Sequence, residues 1–131
     1  MRRADWQARL AEFARERSTM PFEWGRNDCC LFTVDAVHAM TGKDHAIAFR
    51  GYDTALGAER LLKANGGVRG LATGAWGEPV SPAYATVGDP VLMLNEGREL
   101  LAVCNGTVAI AAGPDGLLVI DMTAALAAWK I

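Results

Sequence analysis

Two adjacent cysteines in "WGRNDCCLFTVDAV", residues 24–37, stand where an amphipathic pattern begins. Backbone N–H groups at a helix start have no intrahelical partner, and the helix dipole adds partial positive charge there. A thiolate is favoured at such a point, so its pKa falls toward a reactive range. Cys29 follows Asp28, a residue type suited to capping a helix, and is the best nucleophile candidate in the chain. Cys30 lies about 100° further round the helix and is expected to be buried beside Leu31 and Val34. The opposing reading is that both are small core residues, as free cysteines commonly are.

A thiolate that cleaves acyl bonds needs a base within hydrogen-bond reach, and that base needs an orienting partner. The chain has 2 histidines. His38 lies nine residues after Cys29, on the opposite side of the same helix. His45 falls in the loop beyond and is the one surrogate base the sequence offers, against the plainer reading of a solvated loop histidine. The cysteines and histidines lack the paired spacing of structural zinc sites, so no metal is expected, and no cofactor motif is present. "GPDG" at 113–116 reads as a turn and not as a phosphate loop. Cys104 sits mid-strand among apolar residues and reads as core.

The elements that must position these residues follow from periodicity. Residues 4–17 carry Trp6, Leu10 and Phe13 at i, i+4 and i+7, an apolar stripe among charges that packs on the protein's own core or on a partner. Leu31, Val34 and Val37 mark a helix over about 28–40, closed by Gly42. A further helix is expected over 54–65, and a short helix followed by a loop in "VRGLATGAWGEPVSP". Past residue 87, "DPVLMLN", "LLAVCNG", "TVAIAA" and "LLVIDM" are short β-prone runs separated by turn signals, the mark of an antiparallel meander. The tail "TAALAAWKI" is expected to form a final helical turn packing Trp129 and Ile131. Helices first and strands afterwards give an α+β class, N-terminal helices packed on a small antiparallel sheet.

The chain has 131 residues, 51% of them hydrophobic, enough for one domain with its own core. Within it, 1–20 hold the N-terminal helix, 21–67 the cysteine-bearing helical part and 87–122 the meander. A net charge of −2 gives no bulk electrostatic reason for a nucleic-acid or anionic-membrane partner. No apolar run is long enough for a membrane span, and the charged N-terminus does not read as a secretory signal.

The stretch "FEWGRNDCCLFTVDAVHAMTG" resembles the start of the NlpC/P60 family, papain-like cysteine peptidases that cut cell-wall peptides. That signature runs aromatic-Trp-Gly, then Asp-Cys-Ser-Gly, then a helix ending in Thr-Gly. Cys29 matches its nucleophile and Asp28 the preceding residue, while Cys30 and Leu31 stand where serine and glycine are usual. "VGDPVLM", residues 87–93, resembles the family's Gly-Asp-hydrophobic strand. The family's histidine opens a strand that, aligned on Gly106, is "LLAVCNG", so its position holds Leu100. The third polar position falls around Ala112. "PFEWGRNDCCLF", "AFRGYDTALGA", "GPDGLLVI" and "AAWKI" also resemble small proteins encoded in tail-gene clusters of long-tailed phages and prophages.

The resemblance implies a papain-like fold and a place in the tail tip of a virion, assembled in the host cytoplasm. Its partners would be hub and distal tail proteins, with several copies in the particle. Phe22 and Trp24 of the aromatic loop, with Trp6 and Phe13 of the first helix, are the candidate interface residues. Two readings remain open: a structural or assembly component whose hydrolytic site has decayed, and an active cysteine hydrolase acting on peptidoglycan peptides during entry. A thiol redox protein ranks last, because adjacent cysteines are not the two-residue-spaced redox motif.

Overall fold

Asp28 starts the helix that organises the molecule. Its Oδ1 accepts a hydrogen bond from the Leu31 N–H at 2.9 Å, and its carbonyl accepts one from the Phe32 N–H at 2.8 Å. Helix α2 then runs Cys29–Thr41 and stops at Gly42, whose φ of 81° is the left-handed geometry of a helix end. The computed structural model describes residues 1–46 and 50–131, so Ala48 and Phe49 of "AFRGYDTALGA" lie outside the described residues. Helix α1 (Trp6–Arg17) lies against α2 and buries Leu10 and Phe13 with Phe32, Ala36 and Met40. Helices α3 (Ala55–Ala64) and α4 (Gly67–Trp76) follow. The second of these buries Val68, Leu71 and Ala72 at i, i+3 and i+4.

The strands are β1 (Pro90–Asn95), β2 (Arg98–Cys104), β3 (Val108–Gly113), β4 (Gly116–Asp121) and β5 (Ala125–Ala128). They form one antiparallel sheet in the order β4-β3-β2-β1-β5. The class is therefore α+β, with a meander from β1 to β4. Because side chains alternate across a strand, the sheet has two buried faces. Leu92, Leu101, Val103, Ile110 and Ala112 meet the helices. Val91, Met93, Ala102, Cys104, Ala109 and Ala111 form the other face, closed by Val80, Ala85 and Met122. Cys104 is thus core, as expected.

Two expectations need correction. The tail is not a final helical turn of 123–131: a three-residue 3-10 turn, Met122–Ala124, leads into β5, which pairs with β1. Ala128 exchanges both backbone hydrogen bonds with Val80, and the Trp129 N–H donates to the Pro90 carbonyl at 3.0 Å. The alanines favour a helix locally, but an open sheet edge offers backbone partners and the tryptophan a fully buried site. The second correction concerns Phe13 as an interface residue. Phe13 is 7% exposed and stacks edge-on to Phe32, while Trp6 packs on the same core beneath the Arg2 guanidinium. Leu10 and Phe13 thus serve the protein's own core, and Trp6 is half-buried. Among the described residues, no helix is long and apolar enough to cross a membrane.

Candidate functional site

The loop before α2 is folded back by its own polar groups. Glu23 and Asn27 exchange backbone hydrogen bonds, and Gly25 between them has a φ of 81°. Asn27 is buried, donating to the Met20 and Pro21 carbonyls and accepting from Arg17. Asp28 is buried as well, and each of its oxygens is used. Besides the α2 cap, Oδ2 accepts from the Gly25 N–H at 3.0 Å and from the Tyr52 hydroxyl at 2.6 Å. Burial, and then that hydrogen bond to Asp28, push the Tyr52 phenol well above its ordinary pKa. Asp28 is thus a framework residue that fixes where α2 begins and how Cys29 is presented.

Cys29 is half-buried and Cys30 buried, with their sulfurs 3.9 Å apart. Contact with the Cys30 thiol lowers the Cys29 pKa; burial and the Asp28 carboxylate oppose this, and the Leu101 backbone N–H adds to the lowering, while either sulfur can be the donor of the pair. Cys30 moves the other way, held protonated by its bond to Cys29 and by burial among Val68, Leu71 and Leu101. The pair is therefore divided by exposure: Cys29 is half-exposed at the cleft and Cys30 is buried.

Cys29 opens onto a cleft of about 270 Å³. One wall is Trp24 and Tyr52, another is Leu61, Leu62 and Val68 of α3 and α4, and the sheet contributes Arg98, Glu99, Leu100 and Ala112. Leu100 and Ala112, picked out by the family alignment, thus both border the cysteine's cleft. Alternation along β2 nevertheless points Leu100 to the far face with Ala102 and Cys104, and the β2 side chain that packs with Cys30 is Leu101. Counting back from Gly106 therefore lands one residue from the position facing the cysteines. Extending the Val103↔Ile110 pairing by two residues sets Leu101 opposite Ala112. Neither offers a proton acceptor.

The histidines are elsewhere. His45, the sequence's surrogate base, lines a different cavity with Val37 and Thr41 of α2 and packs edge-on against Trp76 at 5.9 Å. Those α2 residues lie at least about 12 Å along the helix from Cys29 at the usual rise. Burial, and then Lys43, lower the His45 pKa. His38 is exposed on α2. Of the interface candidates, Trp24 is 40% exposed at the cleft mouth, edge-on to the half-buried Phe22 at 4.7 Å. Among the described residues, no group of three or more His, Cys, Asp or Glu could hold a metal ion.

Sequence reasoning did not find Tyr52, Leu101, Arg98 and Glu99. Tyr52 lies 24 residues from Asp28, and no local pattern announces their bond.

The molecule is thus an α+β protein with a divided cysteine pair at a helix start, facing a mainly apolar cleft. The chain belongs to the family described as Domain of unknown function (DUF6950), whose model matches residues 1–131. No curated protein matches it.

Proposed function

We propose that the protein is a structural or assembly component of a long-tailed phage tail tip, built on a papain-like NlpC/P60-type fold that does not hydrolyse peptides. The carrying observation is the composition of the Cys29 cleft. The strands beside the thiol present Leu101 and Ala112, and both histidines of the chain lie away from it. Cleaving an amide requires a proton for the leaving amine as well as a nucleophile. The Tyr52 hydroxyl is committed to Asp28 and does not supply that proton. The place in the tail rests on the sequence resemblance. Contact with hub or distal tail proteins would run through Trp24 and Phe22.

A second reading is favoured by one observation, the lowered pKa of the half-exposed Cys29. In that reading the protein is a cysteine hydrolase of peptidoglycan peptides whose base comes from another chain.

Two measurements test the proposal. Peptidoglycan stem peptides incubated with the protein are expected to stay intact; cleavage that disappears in Cys29→Ala would overturn the non-hydrolytic reading. Mass spectrometry of purified tails and of tail assembly intermediates is expected to contain the protein. Its absence from both would overturn the assembly role.

A further inference from the structure

One edge of the sheet is capped and the other is open. Along β5, Ala128 exchanges both backbone hydrogen bonds with Val80. Along β4, at the opposite edge, no backbone group of the described residues does the same. We propose that β4 is the interface of a two-fold dimer, in which the β4 strands of two copies pair antiparallel and join the two sheets into one. This inference does not depend on the tail-tip reading.

The register fixes which backbone groups of β4 are free. The Asn105 N–H donates to the Val108 carbonyl at 2.8 Å, so the backbone groups of Val108 turn to β2 and those of Thr107 and Ala109 turn to β4. The Met122 N–H accordingly meets the Thr107 carbonyl at 3.0 Å, and Ala109 pairs with Ile120. Gly116, Leu118 and Ile120 therefore bond to β3, while Leu117, Val119 and Asp121 point their N–H and C=O groups out of the sheet. The edge strand of a monomer is ordinarily guarded by lysine, proline or a bulge. The β4 sequence "GLLVID" has neither residue, its pairing with β3 is regular, and Val119 in its middle is 57% exposed.

A second copy complements this edge in charge as well as in backbone. With Val119 on the two-fold axis, it exchanges both backbone bonds with the partner's Val119, and Leu117 does so with the partner's Asp121. On the far face, Leu118 falls opposite the partner's Ile120, an apolar cross-strand pair. Strand alternation puts the Asp121 side chain on the helix face, with Leu117 and Val119. Gly116 is packed against the end of α1, where a Cβ would collide with the Ser18 carbonyl. The partner's Asp121, opposite Leu117, therefore arrives beside the last turn of α1. There the Arg15 side chain is 71% exposed and paired only with the exposed Glu12. The two-fold repeats this meeting of opposite charges at both ends of the strand pair. Because Val80 caps the β5 edge, pairing at β4 gives a closed dimer and not a filament.

Light scattering of the purified chain over a concentration series is the test, with hydrogen exchange to locate the contact. The expected mass is near twice 14.0 kDa, with the Val119 amide protected in the dimer and exchanging freely on dilution. Val119→Pro deletes an N–H that β3 does not use, so the variant is expected to keep its fold, read by circular dichroism, and to lose the dimer. Val119→Lys should do the same by guarding the edge with a charge. Arg15→Glu sets a like charge against the partner's Asp121 and should weaken dimerisation about tenfold. A chain that stays monomeric overturns the proposal and leaves β4 to a strand of another protein. A dimer in which the Val119 amide exchanges freely, or one that survives both Val119 substitutions in folded chains, overturns it equally. A mass that keeps rising with concentration overturns the closed form, and Arg15→Glu without effect overturns the register.

Discussion

Tyr52 shows how the hydroxyl of a half-buried wall residue governs the start of the helix that carries Cys29. Its bond to Asp28 joins a segment beyond the end of α2 to the loop before it, across 24 residues of sequence. Replacing it with phenylalanine keeps the ring and deletes one donor to a carboxylate, a change worth about 2 kcal/mol. The pH dependence has a defined sign. Burial, and then Asp28, raise the Tyr52 pKa in the folded state, so the stabilisation is complete below the unfolded value near 10 and is lost as pH rises beyond it. Urea unfolding is expected to show wild-type stability falling above about pH 10, with a shallower fall in Tyr52→Phe. Identical alkaline slopes would remove Tyr52 from the account.

At the scale of elements, the start of α2 is the joint on which the cleft depends. Asp28→Ala removes the cap to Leu31 and leaves the Gly25 N–H and the Tyr52 hydroxyl without their acceptor, at a cost of about 3 kcal/mol. Because the Asp28 carboxylate beside Cys29 works against its thiolate, alkylation at Cys29 in the still-folded variant should move to lower pH. A variant that is destabilised but keeps the wild-type alkylation profile would separate the cap from the thiol. This element was legible in the sequence because its signals are local: Asp28 before an apolar run, and Gly42 after it. The tail was not, since nothing within "TAALAAWKI" announces that Val80 and Pro90, some 40 residues earlier, hold its backbone. The cleft was half legible. Its neighbourhood, Leu100 and Ala112, came from the alignment, but a strand has a period of two, so a one-residue offset turns Leu100 to the far face and brings Leu101 to the cysteines. The apolar stripe of α1 was legible as a stripe; that it faces inward became clear only with Phe32 against it.

For the whole molecule, one buried carboxylate ties both ends of the chain to the sheet. Asp89, fully buried just before β1, accepts from Arg2 at 2.8 Å, from Lys130 at 2.5 Å and from the Thr86 N–H at 2.9 Å. Burial alone would raise its pKa, but the hydrogen bond from Lys130, with those from Thr86, outweighs burial and holds the carboxyl below the usual carboxylate range. A lowered folded-state pKa means stability that is present above the unfolded value near 4 and is lost as pH falls through the folded one. Asp89→Asn would leave Arg2 and Lys130 facing a neutral amide, and is expected to cost about 3 kcal/mol at neutral pH. In urea unfolding across a pH series, the gap between wild type and variant should hold from neutrality down to about pH 4 and narrow below it. A gap that stays constant into strong acid would assign the cost to packing and not to the charge. The same ties place the N-terminal segment and the residues after β5 on one side of the sheet's first strand, so loosening them should expose Trp129 and shift its fluorescence. In the wild type that shift should track the loss of stability as the pH falls below about 4, while Asp89→Asn should already show it at neutral pH, because Trp129 reaches its buried site through the backbone bond to Pro90, the residue next to Asp89.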